Sequence, residues 1–242
     1  MQLSIIIPAH NEEGRIGKTL LDYLSYFREG TEILVILNGC TDNTQQVVRE
    51  IQSRFPKNLK IENLKEGSKG LAVRRGFETA QGDIIGFVDA DEATSPQEFA
   101  KLINEIGGFD GIIASRSLKG SRAEKSFLRK IISFAFFLIV KMLFNLPYRD
   151  TQCGAKIFKR EAIKKILPEM QISNMIFDVE LLLLLNKYGF RIKEVPTVWF
   201  EKGSSDTFKS PFRLFMIGIR MFITLLQLRI RLKYEKRKTH LR

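Results

Sequence analysis

The strongest local signal in the sequence is Phe87-Val88-Asp89-Ala90-Asp91, in which an apolar segment ends in two carboxylates separated by one residue. Because successive side chains of a strand alternate between its two faces, residues two apart can point to the same place. Two carboxylates at one point suit Mg²⁺ or Mn²⁺ held together with a phosphate group. Aspartate is also common in turns, so the surroundings of the motif decide between a metal site and a simple turn.

Short apolar runs rich in branched residues alternate with helical patterns on both sides of this motif. The alternation predicts βα units on a mostly parallel sheet, and therefore an α/β fold. We expect strands at Leu3 to Pro8, Glu32 to Leu37, Leu59 to Leu64, Ile84 to Asp89 and Gly111 to Ser115. The intervening helices are expected at Arg15 to Phe27, Asp42 to Arg54, Leu71 to Ala80 and Pro96 to Ile106.

Polar or glycine-rich loops follow the first three predicted strands, as the two aspartates follow the fourth. Ligands of open α/β sheets bind beyond the carboxyl ends of the strands, so these loops are expected to share one crevice. Glycine in the third loop allows close approach of a ligand, and the helix that follows attracts anions to its N-terminus. The loops are Pro8-Ala9-His10-Asn11-Glu12-Glu13, Asn38-Gly39-Cys40-Thr41-Asp42-Asn43-Thr44, and Gly67-Ser68-Lys69-Gly70 continuing to Gly76.

Charge is distributed unevenly along the 242 residues, whose formal net charge is +12. Residues 1–115 hold 12 basic and 17 acidic side chains, a net of −5, whereas residues 116–242 carry a net of +17. A half this basic meets anions, either nucleic acid or an anionic membrane surface. With 44% hydrophobic and 27% charged residues the chain is globular, which excludes disordered and collagen-like classes.

Several single residues are expected to have structural roles only. Cys40 and Cys153 have neither metal-ligand spacing nor a paired histidine, and the first ten residues lack the pattern of a signal peptide, which predicts a reducing, cytosolic compartment. His10 is expected to pack and hydrogen-bond within its loop. Trp199, near the end of a strand expected from Ile192 to Phe200, is expected in the core.

The first apolar helical stretch of the basic half runs from Lys125 to Leu146. Its charge-free core, Ile131 to Val140, has ten residues, whereas a bilayer span needs about 20. The stretch is therefore either a core helix or an interfacial one, and the sequence leaves both open.

The second apolar stretch, Pro211 to Leu228, carries Arg213 and Arg220 seven residues apart on one helix face. This spacing predicts an amphipathic surface helix. The tail that follows, Arg229 to Arg242, has seven basic residues and one acidic residue. Adjacent apolar and basic surfaces are what attachment to an anionic membrane by two signals requires.

The motifs resemble the inverting, nucleotide-sugar-dependent glycosyltransferases of family 2, which have the Rossmann-like GT-A fold. The resemblance covers about the first 115 residues, in the correct order and spacing. In the second half, three motifs resemble the branch that charges a polyprenyl phosphate with one hexose, namely dolichyl-phosphate glucosyltransferases and mannose synthases. The motifs are Ser115-Arg116, Asp150-Thr151-Gln152-Cys153-Gly154-Ala155-Lys156-Ile157-Phe158 and Phe177-Asp178-Val179-Glu180-Leu181, and the Gln-Cys-Gly spelling is similar to the glucosyl group.

The resemblance implies a role for each motif. Asp91, Arg116 and Asp178 are expected to be catalytic, and Asp91 with Asp89 to hold Mg²⁺ or Mn²⁺. The acceptor is expected to contact Arg116, Arg129 and Gln152, where Arg122 and Lys130 add basic charge. The donor is expected to contact Pro8, Ala9, Asn11, Glu12, Asn38, Lys69, Asp89 and Ala90.

Two positions leave part of this assignment open. The acidic residues that family members carry at the second strand end are replaced by Leu37-Asn38, and Asn38 can accept a hydrogen bond from a base but brings no charge. Asp178 and Glu180 project about 200° apart on a helix, so both cannot face one point. We expect Asp178 to face the sugar or the acceptor, and its role there stays open.

The implied activity is transfer of one hexose, with inversion, from UDP-glucose or GDP-mannose to a polyprenyl (dolichyl) phosphate. Residues 1–210 are expected to form the catalytic domain, with a nucleotide-sugar half (1–115) and an acceptor half (116–210), followed by a basic membrane-interface segment (211–242). We expect a peripheral protein on the cytoplasmic face of an anionic membrane, without a transmembrane span and without a nucleic-acid partner. The sequence does not indicate an oligomeric state.

Three other classes of protein compete with this interpretation. A glycosyltransferase with a non-lipid acceptor would share the same motifs, although the Gln-x-x-Arg-Trp motif of processive synthases does not occur. A nucleotidyltransferase would need a glycine-rich loop after the first strand, where Pro8-Ala9-His10-Asn11 stands. A non-enzymatic membrane or nucleic-acid binding protein would need only the basic half.

Overall fold

A sheet of seven strands forms the centre of the computed structural model, which describes residues 2–123, 127–200 and 211–240. The strands in chain order are β1 (Leu3–Ala9), β2 (Thr31–Asn38), β3 (Leu59–Leu64), β4 (Ile84–Phe87), β5 (Gly111–Ser115), β6 (Arg122–Ala123), β7 (Lys156–Lys159), β8 (Ile192–Pro196) and β9 (Val198–Trp199). The order across the sheet is β3-β2-β1-β4-β7-β5-β8, and β6 pairs with β9 separately.

Helices alternate with the strands through the first half, as the sequence predicted. Ser95 caps α4 by accepting a hydrogen bond from the Glu98 amide at 3.3 Å, and Pro96 occupies the first helical position. The helices are α1 (Ile16–Tyr26), α2 (Thr44–Arg54), α3 (Lys69–Thr79), α4 (Pro96–Glu105), α5 (Phe127–Phe144), α6 (Arg160–Ile166), α7 (Phe177–Lys187) and α8 (Pro211–His240), with a 3₁₀ turn at Leu167–Glu169.

The sheet is parallel from β3 to β4, and β7 enters it antiparallel between β4 and β5. Parallel strands bring their carboxyl ends to one edge, so the loops after β1, β2 and β4 meet there. These pairings confirm the predicted α/β class. They also place the Asp150-to-Phe158 motif beside the two aspartates, because β7 begins at Lys156 next to the end of β4 at Phe87.

Strand β4 is shorter than predicted. It ends at Phe87 rather than Asp89, because the chain turns there and the Asp91 carboxylate accepts a hydrogen bond from the Ala93 amide at 3.0 Å. Asp89 and Asp91 therefore lie in the turn, and strand alternation does not place them. Their common direction comes from the turn itself.

The prediction of one continuous strand from Ile192 to Phe200 is wrong. The segment divides at Thr197 into β8, which pairs with β5, and β9, which pairs with β6. Pro196 has no amide hydrogen for a sheet partner. The next free amide, that of Val198, donates to the Glu98 carboxylate at 3.0 Å, which turns the chain away from the sheet.

Two hydrophobic cores cover the two faces of the sheet. One contains α1, α2 and α4, with Tyr23 and Phe99 fully buried. The other contains α3, α6 and α7, with Phe177 at its centre, and it extends to α5 and α8 through Val140 and Leu225. The two C-terminal apolar helices are thus anchored on one side only of the molecule.

Helices α5 and α8 pack against each other, and α8 continues to His240, well past the predicted end at Leu228. No helix in the described ranges is both long enough and apolar enough to cross a membrane. We predicted that Arg213 and Arg220 share a helix face. The Arg213 side chain lies outside the described part of the chain, so this stays a prediction. The division into domains at residue 210 stays a prediction.

Candidate functional site

One cavity of about 700 Å³ opens at the carboxyl edge of the sheet. Nine residues predicted for the site line it: Pro8, Glu12, Asn38, Lys69, Asp89, Ala90, Asp91, Arg116 and Gln152. Four others do not, namely Ala9, Asn11, Arg129 and Asp178. The structure therefore brings together residues from both halves of the chain.

The two donor-side loops after β1 and β2 are joined by hydrogen bonds. His10 Nδ1 lies 2.6 Å from the Asn38 carbonyl oxygen, and Asn11 Oδ1 accepts from the Thr41 amide at 2.8 Å. Asn11 therefore holds the turn at Thr41 and does not reach the cavity, which corrects its expected position. Ala9 is fully buried in the core, because β1 continues through it.

Asn38 joins the β2 end to the glycine-rich loop. Its side-chain oxygen accepts a hydrogen bond of 2.6 Å from the Ser68 amide. The acceptor atom that we expected to meet a base is thus already used within the protein. Asn38 lines the cavity, and its oxygen, which has two lone pairs, retains one acceptor position beyond the bond to Ser68.

An ion pair between Lys69 and Asp89 connects the start of α3 to the turn after β4. Burial alone would raise the pKa of Asp89, but Lys69, together with Lys156 and Arg116, holds it below its ordinary value. Asp89 is therefore a stable anion in a half-buried place. Lys69 is charged as well, because Asp89 outweighs the effect of burial and raises the pKa of the lysine.

Asp91 has the opposite environment. Burial and then the negative charge of Asp89 raise its pKa. Burial also raises the pKa of Glu12, against the lowering effect of Arg15, whose Nε donates to Glu12 at 2.7 Å. The cavity therefore contains an excess of half-buried negative charge around Asp91, which a cation would stabilise.

Arg116 is held in place from two sides. Its Nε and Nη2 donate to the Asp150 carboxylate at 2.7 and 2.9 Å, and its amide donates to the same group at 2.9 Å. The guanidinium carbon lies 5.3 Å from the centre of the Trp199 ring, which is buried as expected. Asp150 outweighs burial and raises the pKa of Arg116, so the charge is permanent. Among the described residues, the hydrogen bonds of Arg116 use its amide, Nε and Nη2, which leaves Nη1 for a ligand.

The structure corrects the expected position of Asp178. The side chain is buried outside the cavity lining and accepts a hydrogen bond of 2.6 Å from the fully buried Lys156. Burial raises the pKa of Asp178 even beside this lysine. The physical reason is that α7 is buried on nearly all sides, so its carboxylates need partners inside the protein. A catalytic role for Asp178 stays a prediction.

Comparison with known proteins identifies the family. The profile of "Glycosyl transferase family 2" matches residues 4–167. The chain belongs to this family.

Its curated relatives in this family share about a third of their residues with it. Dolichyl-phosphate beta-glucosyltransferase of Dictyostelium discoideum is 35% identical over 232 residues, which cover 88% of this chain and 71% of the relative. The enzymes of the same name from Saccharomyces cerevisiae and Homo sapiens are 35% and 31% identical and cover 84% and 83% of this chain, and 68% of each relative. The predicted resemblance is confirmed.

A solved structure with the same fold is glucosyl-3-phosphoglycerate synthase from Mycobacterium tuberculosis in complex with Mn²⁺, UDP and glucosyl-3-phosphoglycerate. It superposes with a TM-score of 0.68 at 17% identity, over 94% of this chain and 79% of that one. At this identity the likeness concerns the fold, and it confirms the GT-A prediction. The family 2 protein is thus a glycosyltransferase, and the nucleotidyltransferase and non-enzymatic alternatives fall away.

The family 2 site includes residues that the sequence analysis did not assign. Asp150 stands in a quoted motif, but its pairing with Arg116 joins positions 34 residues apart, and no local pattern indicates it. Lys156 and Arg149 were equally unassigned. A buried lysine cannot be recognised from sequence unless its partner is known.

Gln152 lines the cavity as predicted, and its Nε2 atom is buried without a hydrogen-bond partner among the described residues. A buried donor left unpaired costs free energy, on the order of 1–3 kcal/mol. The residue is therefore suited to meet an acceptor atom of a ligand. Arg129 is half-buried on α5 and lies outside the cavity, while its neighbour Lys130 lines a second one.

We expect Gly154→Ala to lower kcat/KM by about 100-fold, because a Cβ at residue 154 would overlap the Asp89 carboxylate and misplacing a reacting group by about 1 Å costs this much. Sugar transfer and thermal unfolding would be measured together. The matched control is Gly107→Ala, where nothing lies within 4 Å of the added Cβ. Full activity of a folded Gly154→Ala variant would contradict the placement of Asp89.

Proposed function

We propose that this protein transfers glucose from a nucleoside diphosphate glucose, UDP-glucose in the first instance, to a polyprenyl phosphate at a membrane surface. The observation that carries the proposal is the composition of the main cavity. Its polar end holds Lys69, Asp89 and Asp91, and the same space continues between apolar side chains of α5 and α8. The apolar lining is Ile132, Phe136, Ile139, Val140, Ile217, Met221, Phe222 and Leu225.

The two ends of this cavity match the two substrates of such a reaction. A sugar nucleotide is polar throughout and carries a diphosphate, which the Lys69 charge and the N-terminus of α3 would attract. A polyprenyl chain is apolar and would bury its surface against α5 and α8. A purely water-soluble acceptor would leave that apolar wall without a partner.

The names of the curated relatives support glucose as the sugar and a dolichyl-type lipid as the acceptor. The motif that resembles the glucosyl group, Gln152-Cys153-Gly154, lies at the site, since Gln152 lines the cavity. GDP-mannose is the alternative donor. Charge at the expected nucleoside-binding end of the site does not distinguish UDP-glucose from GDP-mannose, because Asn38 stands there in place of an acidic residue.

A second cavity of about 530 Å³ adjoins the first and is the proposed site of the acceptor phosphate. Three basic residues line it, Arg116, Lys130 and Arg149, and the first and last also line the main cavity. Phosphate oxygens pair with guanidinium groups in fixed geometry. Asp150 already holds the Arg116 guanidinium in place, so Arg116 would orient the bound phosphate. Lys130 and Arg149 would add positive charge.

The residues present fit a divalent cation. Asp91 and Asp89 supply hard oxygen ligands, and the raised pKa of Asp91 marks a carboxylate whose charge lacks compensation. The described residues contain no cluster of three or more His, Cys, Asp or Glu side chains suited to a metal, so diphosphate oxygens would complete the coordination. When bound, Mg²⁺ or Mn²⁺ would neutralise charge on the departing nucleoside diphosphate.

The chain's own residues would bind and orient the reactants. A phosphate monoester has a second pKa of about 6, so the acceptor is largely dianionic at neutral pH and needs no strong general base. One of its oxygens forms the new bond to the anomeric carbon as the bond from that carbon to the diphosphate breaks. Attack from the face opposite the diphosphate inverts the anomeric centre. Arg116, Lys130 and Arg149 would hold the phosphate on that face.

The membrane contact is proposed from an apolar stripe on each of the helices α5 and α8. Exposed large residues recur every three or four positions on one face of each helix, which is the face away from the core. Contiguous exposed apolar surface of this kind marks an interaction site. The apolar stripe consists of Leu128, Ile131, Phe134, Leu138 and Met142 on α5 and Phe215, Ile219, Phe222, Ile223, Leu226 and Ile230 on α8.

We infer that the apolar stripe lies in the interfacial region of a membrane, with the polyprenyl chain entering between the same two helices. The stretch around Ile131 to Val140 then serves both as cavity wall and as membrane contact. The cytoplasmic face is the proposed side, and the two free cysteines, Cys40 and Cys153, agree with a reducing compartment.

We expect UDP-glucose and a polyprenyl phosphate to give a glucosyl polyprenyl phosphate, which thin-layer or mass analysis of the lipid fraction would detect. GDP-mannose and UDP-GlcNAc are the comparison donors, and a water-soluble phosphate monoester is the comparison acceptor. Transfer from GDP-mannose alone would overturn the choice of sugar. Transfer only to the soluble acceptor would favour the non-lipid alternative.

We expect Asp91→Ala to lower kcat at least about 100-fold, since loss of one charge-stabilising group has this effect in other enzymes. Activity of the unaltered protein is expected to vanish in EDTA and to return with Mg²⁺ or Mn²⁺. Glu161→Ala is the control, because this exposed carboxylate lies in the first turn of α6, outside both cavities. If EDTA left the rate unchanged, the metal assignment would be wrong.

We expect the double variant Phe134→Asp, Ile230→Asp to bind anionic liposomes at least tenfold more weakly, because both side chains are more than half exposed on the apolar stripe and charge is disfavoured in apolar lipid. Co-sedimentation at low and high salt would measure this. Tyr26→Asp is the matched control, since it is exposed on α1, across the sheet. Equal binding by all three proteins would rule out the stripe.

A further inference from the structure

Residues 170–174, here called the bridging segment, lie between the first turn of α3 and the C-terminal helix α8. On the α3 side, the Ser173 carbonyl oxygen accepts hydrogen bonds from the Gly70 amide at 2.6 Å and the Leu71 amide at 3.2 Å. The Ser68 hydroxyl donates to the same oxygen. One carbonyl group thus caps the turn that contains Lys69.

The contact on this side is between backbones. A Cβ added at Gly70 would lie 2.5 Å from the Ser173 carbonyl oxygen and 2.8 Å from that of Ile172. Such distances leave no room for a side chain, which is why glycine stands at this position. A displacement of the bridging segment would therefore move the turn directly, with no flexible side chain in between.

On the α8 side, the bridging segment is held by a buried carboxylate. Glu180 is fully buried and accepts from the Gln171 amide at 3.0 Å, the Ile172 amide at 2.8 Å and Arg231 Nη2 at 2.5 Å. Arg231 Nη1 also donates to the Gln171 side chain at 3.0 Å. Arg231 belongs to α8, so one guanidinium ties that helix to both the carboxylate and the segment.

A second contact with α8 lies at the other end of the segment. Asn174 Nδ2 donates to Thr224 Oγ1 at 3.0 Å. Thr224 and Arg231 are seven residues apart, about two helical turns, so both face the segment. The segment is therefore attached along a length of α8.

The turn that the segment caps carries the donor-side groups. Lys69 is ion-paired with Asp89, and the Ser68 amide donates to Asn38 at 2.6 Å. The backbone on both sides of Lys69 is thus fixed by one contact to β2 and one to the bridging segment. The position of the bridging segment is therefore coupled to the backbone that carries Lys69.

We propose that Arg231 and Glu180 are positioning residues for the donor: through the bridging segment, the helix that carries the proposed membrane contact also sets the donor-binding turn. Neither side chain lines the cavity. Arg231 offsets the buried charge of Glu180, and without it the carboxylate draws in water and releases the Gln171 and Ile172 amides. The inference rests on the proposed function only in taking Lys69 as a donor-binding residue.

The test compares Arg231→Met with Arg229→Met. Both variants remove one basic residue from α8, but Arg229 is exposed and lies outside this network. We expect Arg231→Met to weaken binding of UDP-glucose, measured by calorimetry without acceptor, by about tenfold. Hydrogen exchange of a peptide covering Gly70 and Leu71 is expected to rise in the same variant. Arg229→Met is expected to change neither, and Arg231→Lys is expected to recover part of the affinity.

The two measurements separate this inference from the proposed function. If the unaltered protein does not bind UDP-glucose, the donor assignment is wrong, and the exchange of Gly70 and Leu71 still decides the inference. Unchanged exchange there in Arg231→Met, or an equal rise throughout the chain, would overturn it, since the second result describes general destabilisation. If Arg231→Met does not fold, Glu180→Gln, which keeps the side-chain shape and removes the charge, replaces it with the same expected direction.

Discussion

The arrangement of the site depends on how the protein stabilises the negative charge of Asp89, which lies half-buried beside Asp91. Asp89 is stabilised by Lys69 in direct contact and by the charges of Lys156 and Arg116. Each of these cations comes from a different part of the chain, and two of them have a further partner: Lys156 is paired with Asp178 and Arg116 with Asp150. The sheet, α3 and the motif around Gln152 are thus fixed with respect to one another by charge as well as by packing. Asp91 remains the less compensated member of the pair.

That electrostatic framework explains why the second half of the chain folds back onto the first. The Asp150 motif brings Gly154 against Asp89 and Asp150 against Arg116, and β7 then enters the sheet beside β4. Helices α5 and α8 follow as a wall on the same side. The polar site and the apolar wall consequently line one cavity, so the proposed lipid acceptor would reach the reacting groups within it.

Much of this could be predicted from sequence, because local patterns decide it. Branched apolar runs predicted the parallel strands, and the family resemblance predicted thirteen site residues, of which nine line the main cavity. The failures have physical causes that no local pattern carries. Asn11 lies at the expected edge, but its side-chain oxygen accepts a hydrogen bond from Thr41 and the residue does not line the cavity, whereas Asn38 lines it while its oxygen accepts from Ser68. Asp178 is buried because Lys156, from a distant strand, is available as its partner.

The stack of Arg116 on Trp199 has a consequence for the entropy of binding. A free arginine side chain samples many rotamers, and immobilising such a side chain on association costs about 0.5–1.5 kcal/mol. Here Asp150 and the indole ring restrict the guanidinium before any ligand arrives. That ordering cost is therefore met during folding. An anion reaching the Nη1 group would find a preorganised partner, and its affinity would reflect the contact rather than the freezing of a flexible chain.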